Sequence, residues 1–439
     1  MGNVSKALQE VIQKLYSRRP EHQIRARLAP TMRFTELMGR PQDNYRVIHL
    51  TGTNGKTTTT RMIEQVLRGT GLRTGRLTSP HLVRINERVA LAGEPISDEL
   101  LVETYLENEE LLSWVDSELE SAGEHRLTFF EAFTGLALQA FSTEAVDVAV
   151  VEVGMGGEWD STNVVTADVA VFTTVDLDHQ ATLGNTVEEI AHTKAGIIKP
   201  PSSVVVGPQR ESVFQVLTER SANNELVRYG IDFELTQESA HGLVTEFSVR
   251  GRFGEYSDIR MPILGSHQAE NAATAIAAVE SFFGPESAPG VELYREAFST
   301  ITSPGRLQVL RTDPLEVVDG AHNPAGARSL LAALEGPFFG ESFVAVIGMF
   351  ADKAVVQFLE TLLPRLDSAV FTQVDYPRAM PASQLAELAL QTGFSEIHTA
   401  ETPAAALALA RRIATESDSG LLVTGSLYLA GAALEAEEA

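Results

Sequence analysis

The sequence predicts an α/β protein of two domains. The larger has a largely parallel sheet with a small antiparallel flank, and the smaller, C-terminal one alternates strands and helices. Three observations predict it. From Tyr45 to Pro80 a β-branched run, a glycine-bearing loop, a helical stretch and a second strand form a βαβ unit. Further apolar runs alternate with helical stretches, as strands covered on both faces do. Turn-rich breaks at 284–290 and 303–305 separate this series from a second one.

In the first unit the strand runs from Arg46 to Leu50, and the helix carries Met62, Ile63, Val66 and Leu67 until Gly69 and Gly71 stop it. The next strand covers Arg73 to Thr78, and others are expected at Val146 to Val153, Val169 to Val175 and Val204 to Val206. Short alternating runs with Gly turns from Phe233 to Leu264 predict the antiparallel sheet, and a helix from His267 to Phe283 follows. Beyond Arg306 the expected order is strand (Leu307 to Val318), helix from Pro324, strand (Phe343 to Ile347), helix and strand (Ala369 to Val374). Two helices, the second from Pro403, and a strand (Leu421 to Thr424) complete it. The domains are expected to span 1–300 and 304–439, with a ligand cleft where they meet.

Hydrophobic residues make up 44% of the chain, enough for two or three cores. Cysteine is absent, which excludes disulfides, thiolate metal sites and a cysteine nucleophile, and leaves oxygen and imidazole for any metal. Acidic residues exceed basic ones by 25, which argues against nucleic acid as a partner. The N-terminus lacks the apolar core of a signal peptide and no apolar run reaches membrane-spanning length, so a cytoplasmic protein with no membrane partner is expected. A monomer is the expected state.

The run Thr51-Gly52-Thr53-Asn54-Gly55-Lys56-Thr57 lies between a strand and a helix N-terminus, where backbone N–H groups and the helix dipole favour a phosphate. Lys56 adds a point charge for the β- and γ-phosphates. The general phosphate-loop pattern wants a glycine where Leu50 stands, so this loop is a tighter variant. Thr53, Asn54, Gly55, Lys56, Thr57 and Thr58 are the expected ATP contacts. Glu152 ends a strand where α/β sheets place ligands; it either holds Mg²⁺ or is satisfied by backbone N–H groups. Alone, His179 reads as a structural hydrogen-bonder and Lys194 as an ordinary helical lysine.

The phosphate loop resembles that of the Mur ligase superfamily. Thr78-Ser79-Pro80-His81-Leu82, Thr128-Phe129-Phe130-Glu131, Glu152-Val153-Gly154-Met155-Gly156-Gly157 and Asp176-Leu177-Asp178-His179 resemble folylpolyglutamate and dihydrofolate synthases within it. So do Lys194-Ala195-Gly196-Ile197, Gly265-Ser266-His267-Gln268 leading to Asn271, Pro304-Gly305-Arg306, Asp319 to Pro324, and Thr424-Gly425-Ser426. The motifs run in family order nearly to the end of the chain.

The resemblance implies a Mur-ligase-type ATP domain, a C-terminal glutamate ligase domain and an ATP-dependent amide-forming ligase. Its implied substrates are ATP, L-glutamate, and dihydropteroate or a reduced folate. Ser79 and Glu152 would hold a first Mg²⁺, with Thr57 a weaker candidate. His179 and Lys194, carbamylated by CO₂, would hold a second. Asn271 would meet adenine, and Arg306 and Asp319 the phosphates and ribose. Lys56, Lys194 and His322 are the expected catalytic residues, although His322 also reads as a capping or positioning residue. Ser79, Thr128, Phe129, Phe130 and Glu131 would border the folate. The acceptor carboxylate would attack the γ-phosphate, and glutamate's amine would displace phosphate from the acyl phosphate. One departure stands out: Glu158 takes the place of a frequent arginine and reverses charge near the expected site. The rivals are a peptidoglycan Mur ligase, for which the roughly 45 residues before the phosphate strand are too few to add a typical UDP-binding domain, and a non-enzymatic nucleotide switch.

Overall fold

The computed structural model describes residues 2–21, 23 and 25–438. Its largest sheet contains β1 (Arg46–Thr51), β2 (Thr74–Leu77), β3 (Val89–Leu91), β4 (Glu94–Pro95), β5 (Val148–Glu152), β6 (Val169–Phe172), β7 (Ser203–Val206) and β8 (Glu225–Arg228). Their order is β4-β3-β2-β5-β1-β6-β7-β8, parallel apart from β3 and β4. β1 lies at the centre, with Leu50 beside Glu152 of β5 and Thr51 beside Phe172 of β6. The phosphate loop therefore leaves the sheet next to Glu152.

Every residue of β5 is buried, because helices cover both faces. On one face, the helix Lys56–Gly69 buries Met62, Ile63, Val66 and Leu67 against the helices Ser266–Phe283 and Val291–Ser299. Each such side chain contributes roughly 1.5–3 kcal/mol on burial. On the other, the N-terminal helices Gly2–Tyr16 and Ala29–Leu37 pack with Asp98–Ser121 and Phe129–Thr143. A flank of β9 (Glu234–His241), β10 (Val244–Arg250) and β11 (Glu255–Met261) is antiparallel, as its alternating sequence predicts.

The third sheet holds β12 (Gln308–Thr312), β13 (Leu315–Val318), β14 (Phe343–Ile347), β15 (Ser368–Thr372), β16 (Ile397–Ala400) and β17 (Gly420–Thr424) in the order β12-β13-β17-β14-β15-β16. Two expectations need correction. The stretch from Leu307 to Val318 is a hairpin, not one strand: Asp313-Pro314 forms the turn and Thr312 faces Leu315 across it. β16 was not expected, because this edge strand is only partly covered and has no continuous apolar run. No described helix is long and apolar enough to cross a membrane.

Candidate active site

The phosphate loop turns tightly at two glycines. A Cβ on Gly52 would lie 1.8 Å from Thr173 Oγ1, and one on Gly55, at φ +83°, would lie 2.5 Å from Asn271 Oδ1. Any side chain at either place would push the loop off the sheet or off the helix Ser266–Phe283. Asn271, braced by a 3.0 Å hydrogen bond to Gln268, thus packs directly on the loop. Thr53 Oγ1 donates to the Asp176 carbonyl at 2.9 Å and accepts from the Asp176 N–H at 3.0 Å, tying the loop to the segment that carries Asp178 and His179. Lys56 Nζ donates to the carbonyls of Gly52 and Thr53, so its charge stays over the loop. Thr58 Oγ1 lies 2.8 Å from Ser303 Oγ, which joins the same helix to the connection between the domains.

Glu152 is 2% exposed, and both its oxygens accept from Thr57 Oγ1 at 3.0 Å. Burial raises its pKa, opposed by Lys56 and the Thr57 hydroxyl. A buried carboxylate with no ion-pair partner among the described residues, which accepts from the Thr57 hydroxyl and the Ser79 backbone N–H, is an oxygen donor suited to a hard cation, and Ser79 lines the same cleft. Three or more His, Asp or Glu side chains converge on no metal cage among the described residues. Mg²⁺ fits this, since it commonly binds through one or two carboxylates, waters and substrate phosphates.

Lys194 is 3% exposed, and its Nζ donates to the Gly52 carbonyl at 2.7 Å. Burial, aided by the Lys56 charge, lowers its pKa well below the ordinary value, which favours the neutral amine. Asp178 meets the second domain. Lys353 Nζ donates to its Oδ1 at 2.8 Å, Asn323 Nδ2 approaches its Oδ2 at 3.4 Å, and the ring nitrogens of His179 and His322 each lie 3.9 Å from Oδ2. Burial works to raise the Asp178 pKa, but the Lys353 ammonium, joined in acid by His179 and His322 once they are protonated, outweighs it and holds the carboxyl well below the usual range. Burial takes both histidines down to about 4, so they are neutral at pH 7. Asn323 also reaches Asn54 of the phosphate loop at 3.3 Å. Asp319 accepts from the N–H groups of Leu307 and Ala321, each at 2.8 Å, and so fixes the turn beside Arg306.

These groups line one cleft of about 710 Å³ between the domains. The family model described as Mur ligase middle domain matches residues 50–279, and that described as Mur ligase, glutamate ligase domain matches 305–427. The dihydrofolate synthase/folylpolyglutamate synthase of Mycobacterium tuberculosis is 38% identical over 97% of this chain and 93% of its own length. The chain belongs to the dihydrofolate synthase/folylpolyglutamate synthase family. A solved Mycobacterium tuberculosis folylpolyglutamate synthase, complexed with ADP and AMPPCP, superposes with a TM-score of 0.93 at 37% identity over 99% of this chain and 98% of that one. A folylpolyglutamate synthase complex with AMPPCP and folate gives 0.83 at 31% identity over 98% and 100%. The family makes this chain an ATP-dependent, amide-forming ligase.

Every site residue expected from sequence lines the cleft except Phe129 and Asn271. Asn271 lies behind the phosphate loop. Phe129 is a correction: it is 3% exposed and stacks between Tyr16 and Phe133, so it belongs to the core. Thr128 and Glu131 border the cleft, but they form a capping box for the helix that follows, and Glu131 also pairs with Arg27. Phe130 faces the cleft beside Gly154, where a Cβ would meet its ring at 2.6 Å. Glu158 is exposed and does not line the cleft, so the charge reversal falls outside it. Sequence reasoning did not single out Asp178, Asn323 or Lys353. The first two stood inside quoted motifs, whereas nothing in the reading marked Lys353.

Proposed function

We propose that this ligase joins L-glutamate to both dihydropteroate and reduced folates through an acyl phosphate. The observation that carries the reading is the placement of Phe130 on Gly154, two residues beyond Glu152. A flat aromatic wall thereby borders the carboxylate and phosphate loop in one cleft, and its volume is in the range of small-molecule sites.

Thr53 to Thr58 cradle the ATP phosphates, Asn271 supports the adenine side, and Arg306 and Asp319 approach from the second domain. Ser79, Thr57 and Glu152 would hold one Mg²⁺, and His179 with a carbamylated Lys194 a second. These ions would neutralise charge on the transferring phosphoryl group. Lys194 supports carbamylation because a buried, neutral amine is the form that reacts with CO₂. Lys56 stabilises charge on the γ-phosphate while the acceptor carboxylate attacks. His322, held by its Nδ1 at 2.8 Å from the Gly320 carbonyl, positions the incoming glutamate beside Asp178. Closure of the two domains keeps water from the acyl phosphate before the amine arrives. A monomer is the proposed state and the cytoplasm the proposed compartment.

The test is ADP release with ATP, Mg²⁺, glutamate and each acceptor in turn. Release should require an acceptor and vanish in Lys56→Ala while the circular dichroism spectrum stays native. Release that ignores the acceptor would indicate a nucleotide switch instead.

A further inference from the structure

A second, smaller cavity of about 30 Å³, with room for about two waters, lies behind the Ser79-Pro80 turn. Thr57, Pro80, Arg306 and Leu427 bound both this cavity and the main cleft. Arg61, on the second turn of the phosphate-loop helix, lines the small cavity alone. Among the described residues, neither the Arg61 nor the Arg306 guanidinium has a hydrogen-bond or ion-pair partner.

The carboxylates near Arg61 are already engaged. Glu64 is held by Arg76, Thr74 and the Gly93 N–H. Glu87, which also lines the cavity, accepts from the N–H groups of Leu82, Val83 and Arg84. Glu152 accepts from Thr57. Burial and the Arg76 charge pull Arg61 down to about 10, and it remains protonated at pH 7. Two unpartnered guanidiniums in a part-buried pocket favour an anion that can accept several hydrogen bonds.

We propose that Arg61 and Arg306 form a second anion site behind the Ser79-Pro80 turn and that it binds inorganic phosphate. This rests on the acyl-phosphate reading for the origin of the phosphate, which amine attack releases on the other side of Thr57 and Arg306. Arg306 faces both spaces, so phosphate passing from the cleft stays in contact with a guanidinium. The site provides a place for phosphate while nucleotide still occupies the loop.

Equilibrium dialysis of the full chain with radiolabelled inorganic phosphate, at saturating AMPPCP and Mg²⁺, tests this. One phosphate per chain should bind with the loop occupied, and Arg61→Gln should weaken it at least about tenfold, the scale of one charge-assisted hydrogen bond. Arg61→Lys should fall between the two. AMPPCP affinity measured in parallel shows that each variant is folded. Displacement of phosphate by AMPPCP would place it on the phosphate loop and overturn the proposal, as would equal binding by Arg61→Gln or no binding by the native chain. AMPPCP does not turn over, so this outcome is independent of the ligase assay: phosphate binding without acceptor-dependent ADP release would keep the site and lose only the origin of its ligand.

Discussion

Lys353 Nζ lies 2.8 Å from Asp178 Oδ1, an ion pair between the two domains in which both side chains are about one-tenth exposed. Asp178 directly precedes His179 and also meets Asn323, so the pair fixes how the second domain sits over the phosphate loop. Removing Lys353 leaves a nearly buried carboxylate without its cation, which costs about 3 kcal/mol. Lys353→Met should therefore lower kcat/KM for ATP by about 10²-fold. Small-angle scattering should show a more open particle, and the Asp178→Asn, Lys353→Met double variant should recover part of the loss. An unchanged scattering curve and unchanged kcat/KM would remove the pair from domain closure.

Phe129 and Phe130 are neighbours with opposite roles. Phe129→Ala should destabilise the fold by about 3–5 kcal/mol, read from urea unfolding, because it empties a space between Tyr16 and Phe133. Phe130→Ala should change stability much less and raise KM for both dihydropteroate and a reduced folate more than it lowers kcat. If Phe130→Ala alters KM for neither acceptor, the aromatic wall is not a substrate surface.

His49 makes the stability of the fold fall in mild acid. It is fully buried in β1, and burial, with the Lys199 charge, lowers its pKa to about 3. Thr162 Oγ1 donates to Asp160 at 2.5 Å, so the His49 Nε2–H donates to Thr162 at 2.9 Å and Nδ1 is left bare. Between about 3 and 6.5 the unfolded chain binds the extra proton, so stability falls as pH drops through this window. From pH 6.5 to 5 this histidine alone should account for a loss of about 2 kcal/mol. Urea unfolding at the two pH values should show a correspondingly smaller loss in His49→Gln. Parallel losses in both proteins would contradict the assignment.

Lys194 should carry a carbamate. Incubation with carbon-13 bicarbonate should give a carbamate resonance in the native protein that is absent from Lys194→Ala, and short carboxylic acids should restore some activity to that variant. A native spectrum without the resonance would leave Lys194 as an amine bonded to Gly52.

The sequence made the parallel sheet legible because β1, β5, β6 and β7 are short runs rich in Val and Ile that are buried apart from Arg46 and Ser203. β16 was hidden because an edge strand needs no such run. Within the site, motif order placed Lys56, Glu152, His179 and Lys194 around one cleft. It could not separate Phe129 from Phe130, because both begin the same helix and only its rotation decides which ring faces the core. Thr128 and Glu131 could have been recognised by spacing, since Thr-x-x-Glu before an apolar run is a capping box. Lys353 could not, because an isolated lysine acquires its meaning only from the carboxylate that folding brings across the cleft.

Formation of an acyl phosphate on either acceptor is open to an oxygen-18 transfer experiment. Dihydropteroate and a reduced folate, each labelled in the reacting carboxylate, are incubated separately with ATP, Mg²⁺, glutamate and the enzyme. Product and phosphate are then analysed by mass spectrometry. Each acceptor should gain one glutamate and each released phosphate one oxygen-18 atom, because the carboxylate oxygen that attacks phosphorus leaves with it. Unlabelled phosphate from both acceptors would contradict the acyl-phosphate route, and label from the reduced folate alone would confine the enzyme to folate extension.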